Sequence, residues 1–391
     1  MKLLKTIIAA TLAAACVLPA QAADKTMSTD IVVLGAGCGG TSASVAAQEL
    51  GAKVILLEKQ GITGGTCKFS EGIMAVESKM QRDWNYGLTK DDAFQRIMRY
   101  GHWRGNGRVV RAFVEKTAST IDWMQGNGVK FEKLFSNYPD GLYTWHIYEG
   151  RGAGWLAKYQ DKFVKNGGTL LLNTPATDLI QGSDGVVRGV IAKNKDGDKI
   201  TINAKAVILA TGGFHANKAL VTQFMGGEVA WMPIRGSMTL TGENILLTAP
   251  FFPMHVNMDQ FHAGPIHGPT KANPSQMVNF GICVNTLGNR YVDEASTYVE
   301  IARHTAKDTI RNSAFIILDS AVVKLPIVAM RIDRYKAAKA PIFEANSIGE
   351  LASKIGVPAK ALEKTVSEYN DAVHAGRGAS LKVPATMKKP Y

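Results

Sequence analysis

The apolar positions along this chain fall into short unbroken runs separated by longer, interrupted ones. Asp30 to Leu34 and Lys53 to Leu57 are short runs, and Thr41 to Leu50 between them is a small-residue stretch closed by Gly51. Runs of that length predict strands and the intervening stretch a helix, so the segment reads as one βαβ unit. A helical pattern follows from Asp91 to Gly126, then a glycine-rich loop around Gly150 to Gly154. Three apolar segments come next, TLLLNTPATDLI, GVVRGVIAKNKDGDKITI and AKAVILATGGF, broken by Asp-Gly turns and read as strands. From about Phe261 the texture changes to His, Pro and Gly loops, with helices such as Ile348 to Ala375, which predicts a second domain. The fold class expected is α/β.

At 391 residues and 46% apolar content the chain can bury a sizeable core, which excludes a disordered chain. Its first 22 residues carry Lys2 and Lys5, an apolar run from Thr6 to Leu18 and Ala20-Gln21-Ala22, the pattern of a cleaved export signal. That run falls short of the roughly 20 residues a spanning helix needs. A periplasmic location is expected, with an uncleaved anchor or a lipid on Cys16 as alternatives. Without the two leader lysines the formal charge drops from +12 to +10, and the basic residues are spread along the chain. A nucleic-acid partner would call for a cluster, so none is expected. The four cysteines, Cys16, Cys38, Cys67 and Cys283, form no C-x-x-C or C-x-x-C-H pair. They make no case for haem, a metal site or a disulfide framework, although Cys38 and Cys67 could be neighbours in space.

The chemistry begins at the end of the first strand. Gly35, Gly37 and Gly40 have the spacing G-x-G-x-x-G between a strand and a helix, and Glu58 ends the next strand 18 positions after Gly40. In that context the glycines allow a tight turn, close approach of a pyrophosphate and close packing of the helix. Glu58 can accept hydrogen bonds from a ribose hydroxyl. The helix start offers unsatisfied N–H groups to the phosphates. The turn alone leaves NAD and FAD both open.

Two further segments narrow the choice. EKQGITGGTCKFSEG, Glu58 to Gly72, places a second Gly-Gly pair after the ribose-binding strand, and AVILATGGF, Ala206 to Phe214, ends another strand in Ala-Thr-Gly-Gly. In this order the three segments resemble the flavoprotein family of fumarate reductase and succinate dehydrogenase, in particular its soluble flavocytochrome c type. The resemblance covers most of Asp30 to Asp319. It implies a Rossmann-like FAD-binding domain over 28–260 and an α+β capping domain over 261–391. FAD would lie with its isoalloxazine near Gly64, Gly65 and Thr66 and its adenosine near Glu58 and Ala176. Further contacts are implied from Cys38, Gly39, Lys59, Thr63, Ser70, Gly72, Ala210, Thr211, Gly212 and Gly213. With no haem-attachment motif in the chain, a separate electron-transfer protein is the expected partner.

In fumarate-reducing relatives an arginine of the cap protonates one alkene carbon while a hydride from flavin N5 reaches the other. Here DQFHAGP, Asp259 to Pro265, matches the substrate-binding His-Pro-Thr region and gives His262 as a ligand for substrate oxygen. The block Asn273 to Tyr298 matches the family's next cap segment, through Gly288-Asn289-Arg290-Tyr291-Val292-Asp293-Glu294. Its departures carry more information. The proton-relay glutamate falls at Pro274, the relay arginine at Met277 and the shuttle arginine at Tyr298. A phenol can donate a proton but brings no permanent charge to hold a carboxylate. Fumarate is therefore a poor fit as substrate. The pattern Phe-Gly-Ile-x-Val-Asn with Gly-x-Arg-Tyr-Val-Asp-Glu looks more like the branch that includes tricarballylate dehydrogenase, while steroid-desaturating relatives also use tyrosines. Tyr298 is the candidate acid or base, with core packing as its alternative role. His267 is a weaker candidate, Arg290 is structural by its matched position, and Glu294 is expected behind the reacting groups.

The implied activity is hydride transfer between flavin N5 and a C–C bond next to a carbonyl or carboxylate of a small substrate. The family's return strand and flavin-facing helix would come after Tyr391. This reads as a C-terminally shortened chain, either completed by a second polypeptide or left as a flavin-binding subunit of little activity.

Overall fold

The computed structural model describes residues 24–136, 142–270 and 272–386. The export signal expected over residues 1–22, with its Cys16, lies outside them. The chain begins with β1 (Lys25–Leu34), α1 (Cys38–Glu49) and β2 (Val54–Leu57). β3 (Gly72–Met74) and α2 (Lys79–Asp83) follow. The helical pattern expected over Asp91 to Gly126 is two helices, α3 (Lys90–Tyr100) and α4 (Gly107–Gly126). They are separated because Asn106 caps α4, its side chain accepting from the N–H groups of Arg108 and Val109.

β4 (Phe131–Phe135) and β5 (Trp145–Tyr148) complete a three-stranded antiparallel sheet with β3. α5 (Arg151–Lys165) then leads to β6 (Thr169–Leu171), β7 (Ala176–Gln181), β8 (Val187–Lys193) and β9 (Lys199–Leu209). The six-stranded sheet runs β6-β2-β1-β9-β8-β7. Its β6, β2, β1 and β9 are parallel, while β7 and β8 form an antiparallel ribbon on β9.

The unbroken apolar runs have a clear cause. Strand side chains alternate between faces, and both faces of β1 and β2 are covered. Val33, Val54 and Leu56 pack on one side with Trp155, Leu156, Tyr159 and Phe163 of α5. Val32, Leu34, Ile55 and Leu57 face the other core with Val190, Ile200 and Ile202.

The described residues form two compact units, one within 1–213 and 242–253 and the other within 214–241 and 254–391. α6 (Lys218–Met225) and α7 (Gly227–Ala230) belong to the second, and α8 (Glu243–Thr248) to the first. A single boundary at 260/261 was expected, whereas the chain leaves the first unit after Gly213 and returns to it for 242–253.

The second unit pairs β10 (Ile282–Asn285) antiparallel with β11 (Ala314–Ile317), with α9 (Tyr298–Asp308) between them in sequence. It continues through α10 (Pro326–Ala337), α11 (Ile348–Ile355) and α12 (Ala359–His374). The helix read over Ile348 to Ala375 breaks at Gly356-Val357-Pro358, where Gly356 takes a left-handed C-cap conformation and proline follows. Leu362, Val366 and Tyr369 of α12 pack with Ile282, Val284 and Ile317 of the small sheet.

Candidate functional site

In the first unit, residues from three loops meet at the start of α1. Gly35 has φ +101°, and a Cβ there would lie 2.5 Å from the Ala210 carbonyl oxygen. A Cβ on Gly40 would lie 1.8 Å from the oxygen of Gly35, so the helix start closes directly on the turn. Gly37 is different. Its Cβ position meets only the Gly64 oxygen, 3.8 Å away, and it caps α1 without a side chain. The N–H groups of Cys38, Gly39 and Gly40 thus begin a helix with no side-chain acceptor, the arrangement that takes a diphosphate.

Glu58 is buried at the end of β2. One carboxylate oxygen accepts from Ala36 N–H at 3.0 Å and the other from Gln60 N–H at 2.9 Å. A carboxylate has about four acceptor sites, so capacity remains for ribose hydroxyls. Thr174 N–H bonds to the Glu58 carbonyl at 2.9 Å, which brings Ala176, at the start of β7, into the same neighbourhood. Lys59 pairs with Glu243, and the Thr63 hydroxyl donates to Gln160 at 2.7 Å.

Gly64, at φ +110°, donates to the Ala36 carbonyl at 2.9 Å and opens a 3-10 turn, Gly65–Phe69, that presents Thr66 to solvent. Ser70 donates to the Cys67 carbonyl at 2.7 Å and contacts the Tyr148 hydroxyl. Gly72 lies within β3, where a Cβ would collide with the His146 carbonyl oxygen at 2.5 Å.

After β9, Ala210 N–H bonds to Leu34 carbonyl at 2.8 Å and leads into Thr211, Gly212 and Gly213. The Thr211 hydroxyl is buried with no hydrogen-bond partner. A buried unpaired hydroxyl is costly and calls for a partner the polypeptide does not supply. That orphan, beside a glycine cradle with open N–H groups, fits a dinucleotide.

Two expectations about this unit are corrected. Cys38 and Cys67, for which the spacing gave no framework, form a disulfide with Cα atoms 5.5 Å apart. The glycines of Gly150 to Gly154 do not make a loop. They form the first turn of α5, because a Cβ on Gly152 would sit 1.9 Å from the Cys67 carbonyl oxygen.

The second unit brings together His262 and Tyr298. The tyrosine opens α9, and its hydroxyl stands 3.4 Å from His262 Nε2, with the rings edge-on at 5.9 Å between centroids. Sequence reasoning missed a third member, Arg235. A Cβ on Gly264 would lie 3.1 Å from Arg235 Nη1 and 3.2 Å from Tyr298 Cε2, so guanidinium and phenol flank one glycine. No spacing ties Arg235 to the matched blocks, and only the tertiary fold reveals it. Desolvation and, after it, the Arg235 charge lower the His262 pKa. The imidazole is therefore neutral at pH 7 and can accept from the phenol.

The other candidates are engaged elsewhere. His267 Nδ1 pairs with the Thr270 hydroxyl at 2.9 Å, and its ring stacks on Tyr335. Arg290 Nε donates to Glu294 at 3.0 Å, and Nη1 and Nη2 reach the Val383 and Pro384 carbonyls. Glu294, 2% exposed, also accepts from Cys283 N–H at 2.9 Å. This buried, fully bonded pair holds the unit's loops together.

Comparison with known proteins agrees with the cradle. The family described as FAD binding domain matches residues 30–391. Vinyl phenol reductase of Lactiplantibacillus plantarum is 31% identical over 377 residues, covering 88% of this chain and 76% of that protein. NADH:fumarate oxidoreductase of Klebsiella pneumoniae is 28% identical over 91% of this chain, which spans only 39% of that protein. The open conformation of a flavocytochrome c3 fumarate reductase shares the fold, with TM-score 0.70, 24% identity and coverage of 93% of this chain and 65% of that one. The chain thus belongs to the FAD-binding family that includes the fumarate reductase flavoproteins, and its cofactor is FAD.

Proposed function

We propose that the chain is an exported FAD-dependent reductase that adds hydrogen across a C–C double bond next to a carbonyl or carboxylate. A separate electron-transfer protein supplies its electrons. The observation that carries the reading is the grouping of Tyr298, His262 and Arg235 in the second unit. FAD held by the Gly35–Gly40 turn and Glu58 would supply the hydride. Tyr298 supplies the proton in this reading, because in sequence it falls where the resembled family has its shuttle arginine. Neutral His262 accepts a hydrogen bond from that phenol or orients a substrate oxygen. Arg235 restores the positive charge that a tyrosine lacks and attracts the oxygen on which negative charge gathers.

Export is supported by the leader pattern of residues 1–22. Tyr298→Phe tests the chemistry. Reoxidation of the dithionite-reduced flavoprotein by an enoate should slow by about 10²–10⁴-fold, the usual contribution of a placed proton donor, with FAD retained. An unchanged rate removes Tyr298 from the reaction.

A further inference from the structure

Cys38 is the first residue of α1, and Cys67 lies in the 3-10 turn after Gly64-Gly65. Their disulfide therefore joins the two segments that form the FAD cradle. Two features separate it from a buried staple.

Both cysteines are only half-buried, whereas Cys283 is fully buried and its thiol pKa is pushed far up by desolvation. The backbone on either side is held without the S–S bond. Gly64 N–H bonds to the Ala36 carbonyl at 2.9 Å, Ser70 N–H to the Cys67 carbonyl at 2.9 Å, and Gly152 N–H to the Ser70 carbonyl at 2.8 Å. Opening the bond would leave the sulfurs side by side, ready to close again.

We propose that Cys38 and Cys67 are a dithiol–disulfide redox centre that takes two electrons from an external dithiol carrier and delivers them to FAD. A carrier thiolate attacks one sulfur and forms a mixed disulfide. The carrier's second thiol then displaces it, leaving an oxidised carrier and two cysteine thiols that hold its two protons. When Cys38 and Cys67 close again, two electrons and two protons pass to oxidised flavin. The net change is carrier dithiol plus oxidised flavin to carrier disulfide plus reduced flavin. This rests on the reductase reading, since the flavin is where the electrons are used.

The test treats the FAD-loaded protein anaerobically with dithiothreitol as the carrier, quenches with iodoacetamide, and follows the flavin band alongside the mass of each cysteine peptide. Cys38 and Cys67 should become alkylated together under native conditions while Cys283 stays unlabelled. After excess dithiothreitol is removed, flavin bleaching should match the disulfide re-formed, and the C38S/C67S variant should lose the bleaching. Protection of both cysteines until the protein is denatured would overturn the proposal, as would their reduction with no flavin bleaching. These readings on the unmutated protein decide the matter even where the variant does not fold. A protein that takes up no FAD fails the proposed function instead, a result seen before any dithiol is added.

Discussion

Glu58 does two jobs with one carboxylate. It holds the Ala36 and Gln60 N–H groups, and we propose that its remaining lone pairs take the cofactor's ribose hydroxyls. Glu58→Gln puts an NH₂ group against one of those donors and removes the charge. Hydrogen bonds to charged groups are worth about 1.5–3 kcal/mol. FAD affinity should fall by about 10- to 100-fold in a fluorescence titration, and unchanged affinity would contradict the role given to the carboxylate. The position of Glu58 against the glycine turn was legible in the sequence because strand, turn and helix are local. Arg235 was not, because residues 235, 262 and 298 meet only in the folded chain. Arg235→Gln should raise the His262 pKa, since one of the two causes that lower it disappears, and an NMR titration of the imidazole reads this directly. Buried His146 is also held below its usual pKa by desolvation. Both histidines are lowered, so the unfolded chain binds protons more readily between the folded values and about pH 6.5. Their contribution to stability is complete above that window and is lost as the pH falls through it. Denaturant midpoints across the window should therefore rise with pH.

At the scale of elements, α5 shows why glycine clusters mislead. Glycine has poor helix propensity, so Gly150 to Gly154 reads as a loop. The structure uses the missing side chain at Gly152 to bring the helix onto the Cys67 peptide, and tertiary contact overrides propensity. Gly152→Ala should force α5 away from the cradle at a cost of about 1–3 kcal/mol. The expected readout is a lower Tm together with weaker FAD binding. A Tm at or above that of the unmutated protein would show that the helix start tolerates a side chain. The disulfide was equally hard to read, because its partners lie 29 positions apart on two elements and form no local motif. The α4 cap and the Gly356-Val357-Pro358 break are, by contrast, ordinary stop signals within longer helical patterns.

For the whole molecule, the alternating strands and helices were enough to predict an α/β fold with a parallel core, because runs buried on both faces need both faces covered. The return of 242–253 to the first unit was not predictable. It rests on contacts such as Leu247 in the β1–β2 core, and periodicity says nothing of them. The proposed reaction needs bound FAD and an alkene served by Tyr298, His262 and Arg235. The most direct measurement mixes the reduced, FAD-loaded protein anaerobically with fumarate, longer enoates and 4-vinylphenol while recording the flavin band and the products. Return of oxidised flavin with one saturated product formed per flavin, for at least one of these alkenes, is the predicted result. A flavin that stays reduced with every alkene, or a protein that holds no FAD, would contradict the account.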